Sequence, residues 1–164
     1  MPQKNPVLVC FFSGTGNSRR AAYLVVETLA ADGREVRTMD METDDPAGVD
    51  GKEELVLVFP SYSWAPPALV LRWIRHLPRP GRSQRRQSRR PEAAVLAVDG
   101  GDGGAAAGTA RRSLQRRGYR VALSARTGYP DNWRQMMPPP REDAAAARIG
   151  SGDEGARRFA VGLL

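Results

Sequence analysis

The sequence predicts a doubly wound α/β fold: one five-stranded parallel sheet with helices on both faces, built by the whole chain, residues 1–164, as a single domain. Three observations predict it. Five short apolar runs alternate with segments of helical periodicity, the order that builds strand–helix–strand units. The runs at 7–12 ("VLVCFF") and 55–60 ("LVLVFP") are continuous rather than alternating, as in strands covered on both faces. The chain of 164 residues is long enough for one core that buries roughly 70% of the unfolded surface without a disulfide or metal staple.

The elements follow in order. After the first strand, Ala22, Val25, Val26 and Leu29 make a helical stripe that Asp32-Gly33 terminates. A short second strand is expected at 35–39, then an acidic loop over 40–54. The third strand, 55–60, leads to a helix whose core stripe is Leu69, Val70, Trp73, Ile74 and Leu77. Arg72, Arg75, His76 and Arg79 fall on its polar face. "AAVLAV" at 93–98 is the fourth strand. Ala107, Ala110 and Leu114 mark a weaker helix closed by Gly118, and "YRVALSAR" at 119–126 alternates as an edge strand does. Residues 143–149 favour helix; Gly150, Gly152 and Gly155 are expected to interrupt it, with a resumed helix over 157–164 as one course for the segment 150–164, which stays open.

Charge and composition bound the function. Lys+Arg 25 against Asp+Glu 18 gives +7, a balance compatible with nucleic acid or an acidic partner. Only Lys4 and Lys52 are lysines, the pattern of a GC-rich coding bias, so each arginine carries less information. Six arginines crowd into 79–91, read as a basic flexible loop. No aromatic residue is interleaved there to stack a base, which argues against nucleic acid. The polar start and short first run fit neither a signal peptide nor a membrane span, so a cytoplasmic protein is expected. A lone Cys10 cannot form an internal disulfide or a cluster, and reads as a buried core residue. A single histidine, His76, gives no support to a serine triad. Gly16, six residues after Cys10, stands where a cysteine phosphatase loop would need arginine. Phe59-Pro60-Ser61 holds no aspartate of the kind a response regulator needs.

The chemistry concentrates in the turn after the first strand, "SGTGNS". Gly14 and Gly16 allow close backbone approach. Ser13, Thr15 and Ser18 offer hydroxyls and Asn17 an amide, at a helix N-terminus that favours an anion. The turn reads as a phosphate cradle of neutral donors, with a capped strand-to-helix turn as the plain alternative. A triphosphate loop would need the missing lysine, and the dinucleotide fingerprint fails at Arg19.

On these residues the chain resembles flavodoxins, and most closely a branch with an S-G-T-G-N-[ST] loop, related to the flavodoxin part of flavodoxin–ferredoxin fusion proteins. The resemblance runs from Val7 to about Pro140. It implies a flavodoxin-like fold that binds FMN noncovalently, with Ser13, Gly14, Thr15, Gly16, Asn17 and Ser18 on the phosphate. It also implies that Pro60, Ser61, Tyr62, Ser63 and Trp64 face the flavin ring, where flat aromatic partners are useful. The glycine-rich loop of Asp99, Gly100, Gly101, Asp102 and Gly103 would wrap the ring's polar edge. In this loop Gly101-x-Gly103-x-x-Ala106 also fits a dinucleotide pattern, but the acidic ribose ligand expected roughly 20 residues on is missing. In the fourth loop, "TGYPDNWRQMMPPP", Tyr129, Asn132 and Trp133 are candidates to edge the flavin or a substrate; a plain surface connection is the alternative.

The implied function is electron transfer, as a carrier or a small reductase, with a redox partner protein or a small-molecule electron donor or acceptor. The alternative is a non-redox binding module of the same fold for nucleic acid or an acidic protein. One departure matters. Many flavodoxins flip a glycine-containing peptide beside the ring, and no glycine lies between Pro60 and Pro67. With the +7 balance taken to make the ring's surroundings less acidic, two-electron reduction is expected.

Overall fold

Val7, Val9 and Phe11 point to one side of the first strand, and Leu8 and Cys10 to the other; all five are buried. That two-sided burial needs a cover on each face, and the computed structural model, which describes residues 5–81, 90–101, 104–131 and 138–164, supplies both. The strands are β1 (Val7–Phe11), β2 (Val36–Asp40), β3 (Glu54–Pro60), β4 (Glu92–Asp99) and β5 (Arg120–Gly128). They form one parallel sheet in the order β2-β1-β3-β4-β5. This is the flavodoxin-like order of a doubly wound sheet.

The helices are α1 (Asn17–Ala31), α2 (Ala68–His76), α3 (Ala106–Arg117) and α4 (Glu142–Val161). Val70, Trp73 and Ile74 of α2 and Leu114 of α3 pack with Leu8, Cys10, Leu57 and Phe59 on one face. Leu24, Val25 and Leu29 of α1 and Phe159 of α4 pack with Val7, Val9, Val56 and Leu96 on the other. Burial pushes the Cys10 thiol well above its ordinary pKa. The helix stops lie where the sequence puts them: Gly33 at φ 79° after α1, and Gly118 at φ 110° after α3, its N–H bonded to Leu114 O and Gln115 O. The 40–54 loop is largely irregular, with one 3₁₀ turn, Pro46–Gly48, capped by the Asp45 carboxylate.

Two expectations need correction or refinement. The C-terminal glycines do not break the helix: α4 runs unbroken through Gly150, Gly152 and Gly155. The reason is packing. A Cβ on Gly152 would lie 2.6 Å from Gly128 O, and one on Gly155 would collide with the Thr127 hydroxyl. Glycine there lets α4 press onto β5. The second is β5 itself, an edge strand as expected, in which Ala122 bulges between the pairs Ala93–Val121 and Ala94–Leu123. Residues 82–89 of the arginine-rich segment lie outside the described residues. No helix among the described residues is long and apolar enough to cross a membrane, and no group of side chains among them could hold a metal ion.

Candidate functional site

Each loop singled out in the sequence follows the carboxyl end of a strand, and together they line a cavity of about 690 Å³. The first loop opens α1. Gly16 stands at its N-cap with φ 103°, a conformation glycine adopts freely. Its N–H donates to Ser13 Oγ at 3.1 Å, which leaves the Ser13 hydroxyl proton for a ligand. No acidic side chain occupies the first turn, so the positive end of the α1 dipole is uncompensated. Asn17 Nδ2 donates to Pro130 O at 3.2 Å, so one of its amide protons holds the fourth loop.

The aromatic loop is a tight reversal. Tyr62 and Ala65 exchange both backbone hydrogen bonds, at 2.9 and 3.0 Å. Between them Ser63 and Trp64 take φ 47° and 64°, the left-handed pair of a type I′ turn. The loop therefore reaches positive φ without a glycine. Tyr62 and Trp64 are 48% and 61% exposed, so neither is core, unlike Trp73 at 4%. Tyr62 meets Phe12 edge-on at 6.5 Å, and its hydroxyl lies over Gly14, where a Cβ would come within 2.5 Å of it. Trp64 lies in the same way over Gly104, and its carbonyl accepts from Ala105 N at 3.1 Å.

The third loop is latched at Asp99. Its side chain is 3% exposed. Oδ1 accepts from Gly101 N at 2.8 Å; Oδ2 makes no hydrogen bond among the described residues but faces Arg126 Nε at 3.3 Å. Arg126 also donates to Gly101 O at 2.9 Å. Behind the fourth loop, Tyr129 donates to Asp153 Oδ1 at 2.9 Å, and Arg20 grips both Asp153 oxygens at 2.7 and 2.6 Å. The Arg20 hydrogen bonds hold the Asp153 carboxyl below its ordinary pKa against the opposing effect of burial. Burial, helped by Asp153, pushes the Tyr129 phenol up.

No family model matches the sequence, and no curated protein matches it either. Solved structures do match. Oxidised flavodoxin 2 from Bacillus cereus is similar with a TM-score of 0.67, over 96% of this chain and 97% of that one, at 17% identity. Two-electron reduced flavodoxin from Megasphaera elsdenii gives 0.60 over 93% and 98%, at 16% identity. Rubredoxin oxygen:oxidoreductase from Desulfovibrio gigas gives 0.55 over 98% of this chain but 37% of its own, at 12% identity. The fold is flavodoxin-like.

In a flavodoxin-like sheet, ligands bind beyond the strand carboxyl ends, where this cavity lies. Of the residues singled out in the sequence, Ser13, Gly14, Thr15, Asn17 and Ser18, all five from Pro60 to Trp64, and Asp99 and Gly100 line it. Gly16 and Gly101 do not; they shape the backbone beside it. Asp102, Gly103, Asn132 and Trp133 lie outside the described residues. The fourth loop contributes Pro130 and Asp131 rather than Tyr129, which is 1% exposed and turned to Asp153. The signal for that pair was the P-D-N stretch, and the choice of aromatic residues missed it. Val98, the other unanticipated wall residue, is the last apolar side chain of β4 and has no signature of its own. The lining holds two carboxylates, Asp99 and Asp131, and no arginine among the described residues.

Proposed function

We propose that the chain binds FMN noncovalently and passes electrons to or from a redox partner protein or a small-molecule donor or acceptor, as a carrier or a small reductase. The whole chain, 1–164, would act as one domain, of the branch that carries the S-G-T-G-N-[ST] loop. One observation carries the reading: a single cavity is lined both by a hydroxyl-rich helix N-terminus and by exposed Tyr62 and Trp64. Its volume falls in the range of cofactor pockets. The donor set fits a phosphate monoester, because neutral hydroxyls, backbone N–H groups and a helix dipole all stabilise a dianion without a lysine. Tyr62 and Trp64 fit a flat ring, which stacks on exposed aromatic faces.

When bound, the flavin supplies the electron-transfer chemistry; the protein supplies binding, orientation and electrostatics. Ser13, Thr15 and Ser18 hold the phosphate. The Ser63–Trp64 turn holds the aromatic pair at the cavity mouth, and the Asp99–Arg126 latch fixes the third loop beside it. The neighbours give no support to a non-redox binding module in place of this function.

The test is a titration of the purified chain with FMN and with riboflavin, followed by flavin fluorescence. FMN should bind at least tenfold more tightly, since each hydrogen bond to a charged group contributes about 1.5–3 kcal/mol and 1.4 kcal/mol is tenfold. Equal affinities would remove the phosphate from the reading.

A further inference from the structure

The two helix layers differ in charge. α2 and α3 carry Arg72, Arg75, Arg111, Arg112, Arg116 and Arg117 and no aspartate or glutamate; α1 and α4 mix both signs. Two of the six are engaged within the layer. Arg117 Nε donates to Leu77 O at 2.5 Å, and Arg112 donates to Thr109 Oγ1 at 3.0 Å. Arg72, Arg75, Arg111 and Arg116 are exposed and make no ion pair among the described residues. Elsewhere arginines do find carboxylates, as Arg20, Arg34 and Arg37 show. Where α3 ends, Arg90, Gln115, Arg116 and Gly118 line a polar notch of about 130 Å³.

We propose that this layer is a docking face for an acidic protein segment, used alongside the cavity and not in place of it. Helix stability alone does not account for it. Cations in the last turn favour the dipole, which explains Arg75 and Arg116. It explains neither Arg72 and Arg111 nor the missing acids, because a glutamate four residues before an arginine would stabilise either helix further. The arginine fork matches carboxylates in pairs, and arginine is enriched at protein interfaces. A nucleic-acid strand is the poorer fit: Trp73 and Tyr119, the aromatic residues of this layer, are 4% and 2% exposed and cannot stack a base. The helices run back from the cavity end of the sheet. Arg116 thus lies roughly 15 Å along α3 from Ala106, at 1.5 Å per residue. A segment held there leaves the cavity mouth open, so the face anchors a partner without covering the site of electron exchange.

The experiment is fluorescence anisotropy of a labelled oligoglutamate peptide with the full chain, without added flavin, at low salt. Arg111→Glu/Arg116→Glu should weaken binding by about tenfold or more, through lost pairing and new repulsion. Arg157→Glu/Arg158→Glu on α4 makes the same change in net charge and should leave binding within about twofold. Equal losses in both variants would reduce the effect to net charge and overturn the proposal. Should the α3 variant fail to fold, Arg72→Gln/Arg75→Gln is read in the same way. Tighter binding of a DNA duplex than of the peptide at equal salt would also overturn it. Saturating FMN should leave the peptide's affinity unchanged; competition would place the peptide at the cavity instead. Because the peptide is read without flavin, failure of FMN to bind leaves this inference standing.

Discussion

Ser63 and Trp64 hold a backbone conformation that costs a residue with a Cβ roughly 1–2 kcal/mol, and they hold it in succession at the mouth of the cavity. Strain of this kind persists where the surroundings over-determine it. Here the paired bonds between Tyr62 and Ala65 and the seat of Trp64 on Gly104 do so. Ser63→Gly should therefore stabilise the protein. The relief is partly offset by the greater freedom of glycine in the unfolded chain, about 0.4–1 kcal/mol. A net gain of about 0.5–1 kcal/mol raises Tm by roughly 1–4 °C for a chain of this size. A lower Tm in a thermal melt would show that the Ser63 side chain, not its backbone, matters to the turn. Thr15 lines the same cavity from the turn that opens α1. Thr15→Ala should weaken FMN roughly ten- to hundred-fold and leave riboflavin nearly unchanged. Unaltered FMN affinity in the fluorescence titration would remove that hydroxyl from the phosphate.

At the scale of elements, α4 shows what the sequence carries and what it does not. Strands such as β1 and β3 are legible because two-sided burial demands continuous apolar runs. α1 and α3 are legible because their stops are glycines with positive φ. The turn at 13–18 is legible as a wall of the cavity because hydroxyls and glycines cluster where a strand hands over to a helix. α4 is not, because propensity treats every helical glycine alike, whereas the fold uses them differently. Gly152 faces Gly128 and Tyr129, while nothing among the described residues lies within 4 Å of a Cβ on Gly150. The same blindness hid Pro130 and Asp131, whose place depends on the Asn17–Pro130 bond across the cavity. The difference between the two glycines is measurable. Gly150→Ala should stabilise by about 0.5–1 kcal/mol, the helix-propensity gain. Gly152→Ala makes the same gain but must push its methyl into Gly128 O, 2.6 Å away. Overpacking costs about 1–3 kcal/mol, so the net effect should be destabilising. Urea midpoints of opposite sign for the two variants are expected; two gains would mean that α4 does not press on β5 as described.

Across the whole molecule, two polar contacts join separate elements and shape how stability depends on pH. Asp153 of α4 joins Arg20 of α1 and Tyr129 after β5. Its carboxyl is held below the ordinary value of 3.8, chiefly by the Arg20 hydrogen bonds. A carboxyl depressed on folding stabilises the protein above its unfolded pKa, and this contribution is lost as pH falls below that value. Tyr119, which donates to Pro78 O where α2 leaves its layer, acts in the other direction. Burial raises its phenol from 10.0 to about 12. Between those values the unfolded chain gives up the proton and the folded one keeps it, so stability falls as pH rises through that interval. Urea midpoints across pH should trace a plateau with an acid limb below about pH 4 and an alkaline limb above about pH 9, where the unfolded chain releases the Cys10 proton first and the tyrosine protons after it. Asp153→Asn should lower the plateau and flatten the acid limb, because the unfolded chain no longer binds a proton there that the folded chain excludes. Tyr119→Phe should make the alkaline limb shallower without abolishing it, because Cys10 and Tyr129 are also raised on folding, and should leave the acid limb unchanged. An acid limb of unchanged slope in Asp153→Asn would mean that other carboxylates govern acid unfolding, and that the Arg20–Asp153–Tyr129 tie holds the cavity's fourth loop without governing the stability of the whole.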